Sequence, residues 1–257
     1  MTYRELFLLC SLTCLPLSDG VAGVRILTEE WAPMSFQEQG VAKGYGVELV
    51  ELLAKRLNVD ANIEVLPWAR AYSIAASHPD VMLFATSLND ERRKQFDFIG
   101  PIATSRIYIY AKASDDVQLD DILQVDQLGS VGVYRGSIGE SILMQVGVKH
   151  LTVASFPQQS AKQLMHGRIR FWCQADLSVS QLLNEVSMAE SMVKPVFELS
   201  KIDLYLGFSK GTSPQVVNQW YEALKKLQSE GGLAKLYQVW FHHSNAPTQI
   251  HFIERQD

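Results

Sequence analysis

The chain has 257 residues, of which 47% are apolar, 20% charged and 10% aromatic; this is a globular composition, not a disordered or collagen-like one. Its formal net charge is -5 and no block of Lys or Arg interrupts it. That argues against nucleic acid as a partner, because such a grip needs a basic face.

The first element is expected to lie outside the fold. Residues 1–23 carry Arg4, an apolar run from Leu6 to Leu15, then Ser18, Asp19 and Gly20, and the small residues Val21, Ala22 and Gly23. This is the layout of a secretory signal peptide, and the apolar run is shorter than the roughly 20 residues of a membrane span. Cleavage after Ala22 or Gly23 would remove Cys10 and Cys14. Lipid attachment would need a small residue before the modified cysteine, and Leu9 and Thr13 stand there instead. Residues 24–257 keep 22 basic and 26 acidic side chains and one cysteine, Cys173. An exported chain without an internal disulfide depends on its core, and this one is long enough to bury one or to build two modest lobes.

Residues 24–28 alternate and β-branch like a strand. Residues 31–46 are loop-like, with Pro33, Gly40, Gly44 and Gly46. A helix is predicted over 47–57, where Val50, Leu53, Ala54 and Leu57 share one face. A strand over 61–66 ends at Pro67, a helix follows over 68–77, and 81–85 is a wholly apolar strand of the kind buried on both sides. A long alternating strand covers 105–112. The pattern then restarts: strand 131–134, a turn at Gly136 and Gly139, and a helix to about 146. Strand 152–155, helix 160–166, strand 171–174 and helix 178–186 come next, before strands 193–198 and 203–208. Ser213 and Pro214 open a helix whose stripe is Val217, Trp220, Tyr221, Leu224 and Leu227. Gly231-Gly232 break it, and Leu233, Leu236, Tyr237 and Trp240 form a second stripe. Beyond Ser244 the chain is polar and is expected to fray. Strand–helix alternation predicts an α/β protein with mostly parallel sheets. Two rounds of it, separated near 108–112 and near 200–204, predict two lobes.

Few residue patterns point to bond-making chemistry. The six histidines form no i, i+4 pair and no H-E-x-x-H motif, so neither a metal nor a cofactor is expected. No G-x-S-x-G is present, and Cys173 beside Trp172 reads as a small buried apolar residue; no catalytic residue is assigned. The Gly136–Gly139 turn follows a strand and opens a helix, which presents free N–H groups to an anion. Its spacing is not that of a nucleotide-binding loop, so a carboxylate or small anion is the expected partner.

The stretch from Ala85 to Pro101 is the most informative. A buried strand ends in Thr86 and Ser87, a turn carries Asn89, Asp90, Glu91, Arg92, Arg93 and Lys94, and Phe96-Asp97-Phe98 leads to Gly100-Pro101. Arg93 and Lys94 read as a solvated helical face. The whole run resembles the T-x-T-x-E-R-K-K-x-x-D-F-S-x-P pattern of type II periplasmic solute-binding proteins. In particular it is similar to the family that binds polar amino acids for ABC transporters (solute-binding family 3). Pro33-Met34-Ser35-Phe36 resembles that family's P-F-x-F, Gly44 to Leu49 its G-F-x-x-D-L, and Gly167-Arg168-Ile169 its G-R-x-D. Leu206 to Gly211 and the two final helices are similar to its C-terminus. The resemblance spans about 24–242, and the order and spacing of the motifs carry it.

The resemblance implies a two-lobed type II clamshell, each lobe a mixed sheet flanked by helices, with two crossovers. Lobe 1 would be 24–108 plus 203–245, lobe 2 would be 113–198, and 246–257 a polar tail. It implies a monomeric periplasmic binding protein that captures a small carboxylate-bearing ligand, an amino acid or similar, for an inner-membrane ABC permease. Residue by residue, Arg92 would hold the ligand α-carboxylate, helped by Ser87 and by the turn at Ser137 and Ile138. Trp31 and Trp68 would sandwich the ligand, although Trp68 also fits a core position. Pro67-Trp68-Ala69-Arg70-Ala71 resembles the P-W-x-R-A of a divergent branch, in which the role of Arg70 stays open. The departures concern the ammonium. The family's lobe-two Asp falls about five residues after the Asp of G-R-x-D; here those positions are Arg170 and Ala175, leaving Asp176 one residue late as the candidate. Another acid position is Thr28, followed by Glu29 and Glu30. These changes alter the acidic shell that a standard L-amino acid would meet, and Arg170, unless it faces solvent, would favour a more acidic or dicarboxylate ligand. Two alternatives share the scaffold: a dehydratase of cyclohexadienyl acids with Glu29, Glu30 or Asp176 as general acid, and a sensory module without a transporter.

Overall fold

The computed structural model describes residues 23–241 and 245–256; the expected signal peptide, with Cys10 and Cys14, lies outside the described residues. Strand β1 (Arg25–Glu29) leads through a short hairpin, β2 (Phe36–Glu38) and β3 (Val41–Lys43), into helix α1 (Tyr45–Leu57). Gly44 caps that helix at φ 124, where a Cβ would come within 2.5 Å of the Met34 carbonyl oxygen, so only glycine lets the loop lie so close. Strand β4 (Ile63–Leu66), helix α2 (Trp68–Ser77) and strand β5 (Val81–Ser87) complete a parallel unit in which β1 lies between β4 and β5.

Alternation along these strands sends side chains to opposite faces. Ile26, Met82 and Phe84 pack with the buried face of α1, whereas Leu27, Val81 and Leu83 pack with Trp68, Ala71 and Ala75 of α2.

After a short helix α3 (Asp90–Arg93), strand β6 runs unbroken from Phe96 to Lys112. A second parallel unit follows the short helix α4 (Val125–Leu128). It comprises β7 (Val131–Tyr134), α5 (Ile138–Val146), β8 (Leu151–Ala154), α6 (Pro157–Met165), β9 (Phe171–Ala175) and α7 (Asp176–Glu185). The chain returns along β10 (Val193–Ser209), then forms α8 (Pro214–Ser229), α9 (Gly232–Trp240) and β11 (His251–Ile253). The strand order is β4-β1-β5-β10-β6-β9-β7-β8, with β11 on β6.

The two 17-residue strands β6 and β10 pair antiparallel along their length. Strand β5 joins β10 at Leu204–Phe208, and β9 joins β6 at Ile107–Tyr110. One sheet therefore has two helix-flanked halves, connected by the middle of these two strands. Three register shifts mark β10, two of them at Glu198/Ser200 and Leu204/Leu206.

The structure departs from the sequence expectations where local signals mislead. The sheet is mixed, as the family resemblance implied, rather than mostly parallel, as the strand–helix alternation predicted, because β6 and β10 bring antiparallel pairs to both halves. The separate strands expected at 193–198 and 203–208 are one strand, and β6 begins nine residues before Ser105; Gly100-Pro101 and the polar Ser200-Lys201 disguise the continuity. The tail expected to fray does not. His251, Phe252 and Ile253 pair with Gly100, Ile99 and Phe98, and the Gln256 N–H donates to the Arg93 carbonyl at 2.8 Å. An open sheet edge offers a row of unpaired backbone groups that any extended segment can satisfy, whatever its polarity.

Candidate functional site

The site begins where β1 ends. The hydroxyl of Ser35 donates to the Glu29 carbonyl at 2.7 Å and lies 2.8 Å from the hydroxyl of Thr28. The Trp31 N–H donates to the Ser35 carbonyl at 2.6 Å. Thr28 therefore serves to pin the loop, and the pinned loop holds Glu29 and Trp31 against a cavity. At the end of β5 the ladder pairs Phe84 with Leu206 and Thr86 with Tyr205, so Ala85 is an extra, bulged residue left out of the pairing. It sits at φ 59, a left-handed conformation that costs a non-glycine residue about 1–2 kcal/mol. Such strain collects at binding sites, and Ala85 lines the cavity.

Helix α3 exists to aim Arg92. Asn89 caps it, accepting the Arg92 N–H at 2.8 Å. Arg92 as a whole is only 4% exposed. Its Nη1 donates to the Ser87 carbonyl at 3.0 Å and to the Ser87 hydroxyl at 2.6 Å. Its Cζ lies 4.6 Å from the centre of the Trp68 ring and 5.7 Å from that of Tyr72, a cation–π arrangement strengthened by burial.

The second half of the sheet meets these groups at the Gly136 turn. The Gly136 carbonyl accepts from Trp68 Nε1 at 2.7 Å and from Arg92 Nη2 at 3.2 Å. Gly136 has φ 73, and a Cβ there would lie 3.2 Å from the Trp68 ring. Ser137 caps α5, accepting the Glu140 N–H at 3.0 Å. The N–H groups of Ile138 and Gly139, in the first turn, have no intrahelical acceptor. On β9, the Gln174 Oε1 accepts the Ala175 N–H at 2.8 Å, which fixes the amide orientation and leaves Nε2 without a partner. Trp31 Nε1 is likewise buried and unpartnered.

The cavity holds roughly 410 Å³ of space, counting the part that opens to solvent, and both halves of the sheet line it. Ile107, Ile202 and Leu204 of the two connecting strands form an apolar wall. Burial pushes the Glu29 carboxyl up to about 8, partly opposed by the Arg92 charge and by a hydrogen bond with Tyr134. Burial also raises the Cys173 thiol to about 12 and the Tyr134 hydroxyl well above its ordinary value. At neutral pH the cavity thus contains one fixed cation and mostly neutral donors.

Six of the seven residues expected from the sequence line this cavity: Arg92, Ser87, Trp31, Trp68, Ser137 and Ile138. Asp176 does not. Its Oδ1 accepts from the Ser105 hydroxyl at 2.7 Å and from the N–H groups of Arg106 at 3.1 Å and Leu177 at 2.8 Å. Being the first residue of α7, it ties that helix to β6, while its neighbour Ala175 lines the cavity. Arg170 also lies elsewhere, forking onto Asp115 at 2.8 and 2.9 Å. Arg70 is exposed on α2, and the Glu30 carboxylate accepts the Gln37 N–H at 3.2 Å. Among the described residues, no three His, Cys, Asp or Glu side chains are placed to share a metal ion. Tyr134 and Gln174 line the cavity but were not singled out from the sequence. Gln174 had a legible signal: it is the polar residue of the otherwise apolar segment Phe171–Ala175, which is buried throughout.

The chain is 27% identical over 217 residues to the L-cystine-binding protein TcyJ of Escherichia coli (strain K12), covering 82% of this chain and 79% of that protein. Among solved structures, a histidine kinase sensor domain with similarity to periplasmic binding proteins matches with a TM-score of 0.79 at 19% identity. That match covers 87% of this chain and 98% of the other. The arginine-, lysine-, histidine-binding protein ArtJ of Geobacillus stearothermophilus matches at 0.76 and 18%, covering 88% and 97%. The fold is therefore that of the type II periplasmic-binding-protein clamshell. The model of the family described as bacterial extracellular solute-binding proteins, family 3, matches residues 24–243, and the chain belongs to that family.

Proposed function

We propose that the chain is an exported, periplasmic receptor that captures a small carboxylate-bearing ligand, an amino acid or similar, and delivers it to an inner-membrane ABC permease. The two lobes would be 24–108 plus 203–245 and 113–198. The observation that supports this most is the convergence of a buried Arg92 with the open N–H groups of α5 across one cavity, each contributed by a different half of the sheet.

A planar guanidinium suits two-point contact with a carboxylate. Ser87 keeps it oriented, and the N–H groups of Ile138 and Gly139 would take the same anion from the other side. Trp31 and Trp68 would flank the rest of the ligand. Arg92 and Trp68 both bond the Gly136 carbonyl, so the contacts that bring the halves together use the groups that would grip the ligand. A ligand bridging both halves would select the closed arrangement. A thermal-shift screen of amino acids, dicarboxylates and polyamines tests the reading, because a ligand at about 100 times its Kd adds roughly 2.7 kcal/mol to stability. The absence of any shift across the screen would refute it.

A second reading rests on Glu29. A buried carboxyl that keeps its proton at neutral pH, beside an arginine that can hold a carboxylate, has the makings of a general acid for expelling a hydroxyl group. Incubation with prephenate or arogenate, followed by product absorbance, decides it: no product means the cavity binds without reacting.

A further inference from the structure

We propose that the ligand of this cavity is an acid without a free ammonium group: a carboxylate whose second polar group accepts hydrogen bonds, such as a dicarboxylate or an oxo acid. The proposal rests on the binding-protein reading and narrows its ligand class.

A buried ammonium needs an anionic partner inside the closed site, because an unpaired charge does not survive desolvation. The residue of β9 that faces the cavity beside Gln174 is Ala175, which offers no acid. Asp176 does not line the cavity: its Oδ1 accepts three hydrogen bonds from the β6 crossing and its own helix. Among the described residues, Glu29 is the one carboxyl that lines the cavity. It lies beside the buried Arg92 cation, whose charge already compensates it, and burial raises its carboxyl. An ammonium beside it would also sit beside Arg92. The bulged Ala85 supplies at most a neutral carbonyl.

The donors are in excess. Arg92 and the first-turn N–H groups of α5 account for one carboxylate. Gln174 Nε2 and Trp31 Nε1 then remain, both on cavity-lining residues under 5% exposed and both without a partner. Buried donors are nearly always satisfied in folded proteins, so their natural complement is a second acceptor on the ligand. A polar amide orientated with its NH2 group free is a specific choice here, because the Ala175 N–H has taken its oxygen.

The test is isothermal calorimetry on the purified chain with matched pairs in which the ammonium is removed or replaced by an oxo group. Suitable pairs are L-glutamate against glutarate and 2-oxoglutarate, L-cystine against 3,3′-dithiodipropionate, and L-phenylalanine against phenylpyruvate. The expected result is at least one ammonium-free acid that binds at least about tenfold more tightly than its amino-acid partner. In Ala175→Asp that preference should shrink or reverse, since the variant restores an anion for the ammonium. An amino acid that binds as tightly as its ammonium-free partners, or more tightly, overturns the inference and leaves the binding-protein reading standing. If no compound of either type binds, both fall together.

Discussion

Glu29→Gln isolates the electrostatic state of the cavity. Glu29 is 5% exposed, and burial lifts its carboxyl from the ordinary value near 4.5 to about 8. The groups that face it are Arg92, which favours the ionised form, and Tyr134, which hydrogen-bonds it and is itself neutral over this range. Because the folded-state value is raised, the folded protein binds more protons than the unfolded chain between these limits. Stability therefore falls as pH rises from about 4.5 to about 8 and levels off above. At about 1.4 kcal/mol per pH unit, the loss between about pH 5 and about pH 8 is on the order of 3 kcal/mol. In a protein of this size about 1 kcal/mol moves Tm by roughly 2–4 °C, so the effect approaches about 10 °C. Glutamine keeps the shape and much of the hydrogen bonding but has no proton to lose. Thermal unfolding followed by circular dichroism at both pH values should show the unmodified protein losing roughly that much more Tm than the variant. All other titrating groups are common to both and cancel in the comparison. Parallel Tm–pH curves would refute the neutral carboxyl, and with it one leg of the argument for an ammonium-free ligand.

Three further outcomes are expected. Arg92→Ala should weaken ligand binding at least about tenfold in calorimetry, because it removes a charge-assisted contact in a closed cleft; unchanged affinity would take Arg92 out of the site. Deleting residues 245–257 should lower Tm by several degrees and promote self-association, since it uncovers the β6 edge that β11 occupies. A melting curve and sedimentation profile identical to the intact chain would contradict that role. Ala85→Gly should raise thermal stability by an amount on the order of 1 kcal/mol, because glycine occupies φ 59 without strain; a fall in Tm would show that the left-handed bulge is not strained.

The longer helices and the strands β1, β4, β5, β7, β8 and β9 were legible because each carries its own period, whereas the β2–β3 hairpin lies in a segment read as a loop. Helix α1 spans Tyr45–Leu57, close to the segment read from its apolar spacing, and α8 starts at Pro214, directly after Ser213. The site was partly legible for two reasons: the Gly136–Gly139 turn reads locally as a helix start, whereas Arg92 and Ser87 stand out only through the family resemblance of their motif. Glu29 and Gln174 were harder. Nothing in the neighbouring residues says that a strand end will be sealed from water, and burial is what makes each of them unusual. Asp176 shows the converse. Its residue type and position suggested an ammonium partner, yet a helix start one residue away from the cavity turns its carboxylate onto Ser105 and the β6 backbone.

What the sequence determined by itself, then, was the alternation of strands and helices and the family resemblance, since periodicity and short motifs are properties of neighbouring residues. What only the tertiary structure decided was which polar groups end up inside. The continuity of β6 and β10, the strand made by a polar tail and the surplus of donors around Glu29 and Gln174 all depend on partners from distant parts of the chain. Pairing at a sheet edge and desolvation are settled when those parts meet, not by the residues on either side.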